Sequence, residues 1–145
     1  GFSPRDFAQF HPGGALGKQL YLRVSDLYPN NARPLVYLGQ PVQQVIIEIT
    51  SKRLGATAVL DERECLRGII TDGDLRRMLE RSPEINGLCA ADIMSADPKT
   101  IAPDALAVKA LELMRHNSIT QLLVAEEGAY RGVLHLHDLI REGII

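Results

Sequence analysis

The sequence predicts an α+β fold in which one strand–helix–strand–strand–helix unit occurs twice, and three observations carry that prediction. The stretch Gly68-Ile69-Ile70-Thr71-Asp72-Gly73-Asp74-Leu75 returns sixty-four residues later as Gly132-Val133-Leu134-His135-Leu136-His137-Asp138-Leu139, with the glycine, the apolar pair, the final aspartate and the leucine in register. Self-similarity at such an interval marks a duplicated structural unit. In each copy an apolar run ends in polar residues able to cap a helix, so a buried strand should turn directly into a helix. Ahead of each copy stand a segment with apolar residues at helical spacing and a second short apolar run.

Taken in order, residues 1–21 have no counterpart between the copies. Ser3-Pro4-Arg5-Asp6 reads as a helix start, with a serine cap, proline at the first helical position and an acid in the first turn. Phe10-His11-Pro12-Gly13-Gly14-Ala15-Leu16-Gly17-Lys18 is glycine-rich, but a Walker A loop needs a glycine where Pro12 stands and a Ser or Thr where Gln19 stands. The first unit opens near Leu22. Val24-Ser25-Asp26-Leu27 resembles Ala91-Asp92-Ile93-Met94 with Asp26 and Asp92 sixty-six apart, which places a two-residue length difference most simply in the turn Pro29-Asn30-Asn31-Ala32. Leu35-Val36-Tyr37-Leu38 is a short extended run that matches Thr100-Ile101-Ala102-Pro103.

Pro41 then opens a helix that buries Val42, Val45, Ile46 and Ile49 on one face; Asp104 opens its equivalent, with Leu106, Ala110, Leu113 and a gap-filling Met114. Thr57-Ala58-Val59-Leu60 and Gln121-Leu122-Leu123-Val124 are strands bounded by the polar turns Asp61-Glu62-Arg63-Glu64 and Glu126-Glu127-Gly128. No helix fits between each of these and the motif strand that follows, so each pair should form an antiparallel hairpin. Ser82-Pro83-Glu84-Ile85-Asn86-Gly87 holds breaker residues and little periodicity, as a linker would. The predicted organisation is therefore a leading segment 1–21, a first repeat 22–82, a linker 83–90 and a second repeat 91–145. One unit leaves its sheet open to water, and two packed together bury it.

With 46% hydrophobic and 23% charged residues and a formal net charge of −2, the composition is that of a soluble globular protein. A nucleic-acid-binding surface would show a basic excess, and there is none. No apolar run approaches the roughly eighteen residues a membrane helix needs, and the first residues lack a charged-then-apolar signal pattern, so a cytoplasmic protein without a membrane partner is expected. Cys65 and Cys89 lack C-x-x-C spacing and read as free thiols of a reducing compartment.

The repeated corner is where chemistry is expected. Backbone N–H groups at a helix start suit an anion, and a carboxylate at the fourth position, Asp74 or Asp138, can accept both hydrogen bonds of a vicinal diol such as a ribose. Thr, Asp and Gly are equally at home as helix caps worth about 1 kcal/mol each, which needs no ligand, and both readings stand. Arg76 and Arg77 lie in the first turns of the helix, against its dipole; a bound anion would offset that cost, as would pairing with Glu80 or Asp72. His135-x-His137, alternating along a strand beside Asp138, imitates a metal pair. The sequence supplies no clear third or fourth ligand, so neither a metal nor another cofactor is expected. His135 is read instead as a hydrogen-bond partner for a phosphate or acidic sugar, and a protonated His135 would make affinity rise as pH falls.

The Gly-h-h-Thr-x-x-Asp pattern, repeated at this interval, resembles a pair of CBS domains, whose two units form the pseudo-two-fold Bateman module and often bind a nucleotide in the cleft between them. The resemblance implies that Thr71 and Asp74 contact phosphate and ribose. Asp138 is kept in the second repeat, with His135 where the family prefers Thr or Ser, and a base would be read by backbone around Val36 and Ile101. Phe-x-x-x-His-Pro-Gly-Gly-Ala-Leu-Gly ahead of such a pair is similar to the join between the sugar-isomerase (SIS) domain and the CBS pair of bacterial D-arabinose 5-phosphate isomerases. That resemblance spans essentially all 145 residues. It implies a parent enzyme that interconverts D-ribulose 5-phosphate and D-arabinose 5-phosphate on the route to Kdo and lipopolysaccharide. His11 matches an active-site histidine of the family, suited to acid–base work near neutral pH; as a bare helix-terminating residue before Pro12 it would have no such role. The remaining catalytic residues belong to the SIS domain, so this chain alone is expected to be inactive. Expected partners are the protein's own SIS domain, a second copy of the chain, and an adenine nucleotide or a nucleotide sugar such as CMP-Kdo. In the alternative, the pair is a ligand-free dimerisation module of the same enzyme.

Overall fold

A computed structural model of the chain describes residues 15–81 and 84–145. The Ser3–Asp6 helix start and His11 lie outside the described residues. After a first helix, α1 (Ala15–Tyr21), come two short 3-10 turns, Val24–Asp26 and Tyr28–Asn30. The first repeat supplies β1 (Leu35–Tyr37), α2 (Val42–Lys52), β2 (Ala56–Leu60), β3 (Leu66–Thr71) and α3 (Asp72–Arg81). A short α4 (Ala90–Ile93) and β4 (Ser95–Ala96) lead into β5 (Thr100–Ile101), α5 (Ala107–Asn117), β6 (Gln121–Glu126), β7 (Ala129–His135) and α6 (Leu136–Arg141).

In both repeats the helix crosses between parallel strands, β1 with β2 and β5 with β6, while β2–β3 and β6–β7 are the expected antiparallel hairpins. Parallel neighbours need such a crossover, whereas a tight turn suffices for a hairpin. α2 starts after Pro41, whose ring-fixed φ of −66° suits the residue before a helix, and it ends at Arg53 in the left-handed region with its N–H on Ile49 O. It buries Val42, Val45 and Ile49; Ile46 is half-buried at the edge.

Two details differ from the sequence reading. α5 begins at Ala107, not at Asp104, because Leu106 is extended and bridges Arg23; its buried face is Ala107, Ala110, Leu111 and Met114, with Leu113 only partly covered. The length difference between repeats is split rather than gathered in one turn. Arg23 and Cys89 occupy equivalent bridges sixty-six apart, Val36 and Ile101 pair equivalently at sixty-five, and Gly68 and Gly132 at sixty-four. One residue is therefore lost between the second 3-10 turn and β1, and the other in the hairpin after β2.

The two units are interleaved. Val24 N–H donates to Ala105 O (2.9 Å) and Ala107 N–H to Leu22 O (2.7 Å), so the segment leading into repeat one is stitched to repeat two. In the mirror arrangement Ala90 N–H donates to Gln40 O (2.9 Å) and Val42 N–H to Leu88 O (3.0 Å). Val24 and Leu27 accordingly lie in the second core with Leu111, Met114 and Leu134, and Ala90 lies in the first with Val36, Ile49 and Ile70. A third cluster joins the sheets face to face: Ala58 and Leu60 against Leu123, Tyr130 and Val133. Burying side chains of this size is worth about 1.5–3 kcal/mol each, and neither sheet covers this face alone.

Close approach of the leading segments explains the motif glycines. A Cβ on Gly68 would stand 2.6 Å from Met94 Sδ and 2.8 Å from the carbonyl oxygen of Ser95; on Gly132 it would stand 2.8 Å from Tyr28 Cδ1. A side chain can retreat more cheaply than a paired strand. Gly68→Ala is therefore expected to lower stability by about 1–3 kcal/mol, and by more than Gly132→Ala, in urea denaturation of the two variants; equal losses would contradict the role given to the Ser95 backbone.

Candidate functional site

The two strand-to-helix corners share a backbone plan and differ in their partners. At the first, Thr71 and Asp74 cap α3 reciprocally: Thr71 N–H and Oγ1–H donate to Asp74 Oδ2 (2.9 and 3.1 Å), and Asp74 N–H donates to Thr71 Oγ1 (3.2 Å). Arg77, one turn on, donates to Asp74 Oδ1 at 2.7 Å, so its partner is neither Glu80 nor Asp72. This corner opens into a hollow of about 300 Å³ lined by Thr71, Asp74 and Arg77 on one side and by Asp97, Lys99 and Gln121 on the other. Both repeats thus contribute to one space. A second hollow of about 410 Å³ shares Asp74, Arg77 and Ser95 with it and continues between α3 and α4 past Arg81 and Asp92. The Arg77 side chain is about half exposed and lines the hollow, so its guanidinium is within reach of an incoming anion.

At the second corner the carboxylate is already engaged from outside its own motif. Asp138 Oδ2 accepts from His135 N–H and from Asn31 Nδ2, both at 2.8 Å, and Arg141 donates to Oδ1 at 2.6 Å. The other hydrogen of the Asn31 amide goes to Val133 O at 2.9 Å. Asp74 and Asp138 have side chains 10% and 6% exposed, so burial hardly separates the corners; their partners do. Neither hollow beside Asp74 reaches His135 or Asp138.

Val36 and Ile101 are buried core residues, 1% and 6% exposed, so only their backbone could be offered to a ligand. His137 lies in α6, not on the strand, although its ring still comes within 4.4 Å of that of His135. The described residues hold no cluster of three or more His, Cys, Asp or Glu placed to bind a metal. Cys65 is exposed and Cys89 half-buried, both as free thiols. Sequence reasoning did not single out Lys99, Gln121 or Asn31, which sit outside the repeated motif. A comparison of the two leading segments, with Asn31 and Asp97 sixty-six apart, is the signal that would have pointed to Asn31 and the stretch around Lys99; no pattern in the sequence marks Gln121.

Two interleaved units with paired strand-to-helix corners define a tandem-repeat α+β fold, and the chain belongs to the CBS domain family, whose model matches residues 24–81 and 90–144. It is similar to the arabinose 5-phosphate isomerase KdsD of Escherichia coli, 41% identical over 146 aligned residues; all of this chain is covered, but it spans only 44% of that relative's length. Among solved structures it resembles the CBS domain of a CBS-domain-containing membrane protein from Sphaerobacter thermophilus, with a TM-score of 0.74 at 19% identity over 96% of this chain and 97% of the other. It also resembles CBSX2 in complex with AMP, with a TM-score of 0.69 at 20% identity over 86% and 96%. No helix of the described residues is long and apolar enough to cross a membrane.

His135 precedes α6 and caps it with a ring nitrogen: Nδ1 accepts from His137 N–H at 3.0 Å, which places the proton of the neutral ring on Nε2. Burial first, and then neighbouring His137, hold its pKa below the usual 6.5. Protonation would turn the capping acceptor into a donor, so a charged His135 must give up this bond. The folded state therefore binds the proton less readily than the unfolded chain. The resulting stability is present above the unfolded pKa of about 6.5 and is lost as pH falls from there through the lower folded pKa. The thermal midpoint is expected to fall more steeply from about pH 7 to about pH 5.5 in the wild type than in His135→Thr, which keeps a capping oxygen that does not titrate. Parallel profiles for the two proteins would remove His135 as the source.

Proposed function

We propose that this chain is the regulatory CBS pair of an arabinose 5-phosphate isomerase, and that its Thr71–Asp74 corner binds the sugar–phosphate part of a nucleotide or nucleotide sugar. The observation that carries the reading is the hollow beside Asp74, which joins a carboxylate acceptor for a diol to Arg77 and Lys99 as cations for a phosphate. Its volume is at the lower end of the range for small-molecule sites, and the adjoining hollow along α3 and α4 gives room for a further polar group near Arg81. CBSX2, similar in fold, was solved in complex with AMP. Adenine nucleotides and CMP-Kdo are the candidates.

In this reading residues 1–21 are the end of the SIS domain, His11 serves as an acid–base group in the complete enzyme, and the isolated chain turns over no sugar phosphate. The complete protein is a cytoplasmic homo-oligomer that interconverts ribulose 5-phosphate and arabinose 5-phosphate on the route to Kdo. The 41% identity to KdsD along the whole chain supports this. Regulation requires the nucleotide to bind two states of the parent with different affinity. A second reading, a ligand-free dimerisation module, is favoured by the exposed apolar side chains Ile47, Leu79 and Ile140 on the helices.

Calorimetric titration with AMP, ATP, CMP and CMP-Kdo decides between the two. At least one of them should bind, and Lys99→Ala or Arg77→Ala should weaken it about tenfold or more, the loss expected for one charged hydrogen bond. No heat from any of the four at millimolar concentration would leave the dimerisation module.

A further inference from the structure

We infer that the chain takes one nucleotide rather than two, because its own Asn31 occupies the place at Asp138 that a ribose hydroxyl would take. The inference rests on the nucleotide-binding reading of the Asp74 corner and adds which of the two corners is a site. A diol offers two O–H donors to the carboxylate. At Asp138 the Asn31 amide already supplies a donor to Oδ2, and its remaining hydrogen is spent on Val133 O. Both amide donors are satisfied, so displacing Asn31 gains a ligand nothing until that pair of bonds is broken.

The segment around Asn31 is fastened on both sides of it. Arg33 donates to Tyr130 O at 2.8 Å and lies over the Tyr130 ring, 4.6 Å from its centroid. The buried Tyr130 hydroxyl donates to Pro34 O at 2.6 Å, and Tyr28 packs against Gly132. The equivalent segment at the first corner lacks this fastening. β4 is held there by backbone pairing to β3, and among the described residues the side chains of Asp97 and Lys99 make no hydrogen bond or ion pair.

Backbone and chemistry separate the corners in the same direction. Asn31 is extended, with φ −92° and ψ 158°, and its side chain reaches inwards, whereas Asp97 is in the left-handed region at φ 52°. An aspartate tolerates that conformation. As a carboxylate it has no hydrogen to give Asp74, and two carboxylates repel at short range. Asp74 therefore takes its donors from its own motif and helix alone, Thr71 and Arg77, and the side facing the other repeat's leading segment is left to the hollow. Asn31 is thus a built-in occupant of the second corner, and the ligand of the first is a single nucleoside phosphate.

Titration of the 145-residue chain with AMP, ATP and CMP in separate calorimetric runs tests this. One nucleotide per chain is expected in the wild type, binding about tenfold or more weaker in Asp74→Asn, and a second event per chain in Asn31→Ala. A shift of the Gln121 side-chain amide resonance on nucleotide addition, with that of Asn31 unmoved, is expected in the unaltered protein and does not depend on any variant folding. Two equivalents in the wild type, a moving Asn31 resonance, full affinity in Asp74→Asn or a single event in Asn31→Ala would each overturn the inference while leaving a nucleotide-binding CBS pair. No binding by any of the three nucleotides or by CMP-Kdo overturns the site reading itself, and this inference with it.

Discussion

The interaction on which the rest depends is the apolar seam between the two sheets. All five residues of β2 are buried, because one of its faces belongs to the first core and the other meets Leu123, Tyr130 and Val133 of the second repeat. The seam is not a mirror of itself. Where the first repeat places Ala58 and Leu66, the second places the larger Leu123 and Tyr130 in the same cluster. This packing brings Gln121 of one repeat beside Thr71 and Asp74 of the other, and the hollow exists only because of it.

Interleaving of the leading segments adds a second constraint. Each repeat completes its partner's core, Val24 and Leu27 in one direction and Ala90 in the other, so neither unit holds its full set of buried residues alone. The arrangement also places β4 and the residues after it along the edge of β3, where Ser95, Asp97 and Lys99 form the far wall of the Asp74 hollow. A molecule held between Asp74 and Lys99 would touch segments from both halves of the chain. That is the geometry through which occupancy could be felt across the module, provided the two states differ in their contacts with it.

The two copies of the unit carry corners that share a backbone plan and differ in their partners. An amide at position 31 bonds to Asp138 at one corner while a carboxylate at 97 lines the hollow at the other, and the extra residue between the second 3-10 turn and β1 gives the first leading segment a different path from the second. His135 carries the same divergence into the cap itself. A ring nitrogen there does the work that the Thr71 hydroxyl does in the first repeat, at the cost of a group that titrates.

Much of the fold was legible in the chain because it rests on local pattern: the apolar spacing of Val42, Val45 and Ile49, the hairpins without room for a helix, and the repeated Gly-to-Asp corner. Thr71 and Asp74 were legible for the same reason, since a cap lies within four residues of sequence. The start of α5 was misread because Leu106 is held extended by Arg23, a residue more than eighty positions away. What the sequence by itself determined was the unit, its duplication and the residues at each corner. What stands opposite each corner was decided only in three dimensions, because hydrogen bonds such as Asn31 to Asp138 and walls such as Lys99 and Gln121 opposite Asp74 join residues whose separation along the chain carries no periodic trace.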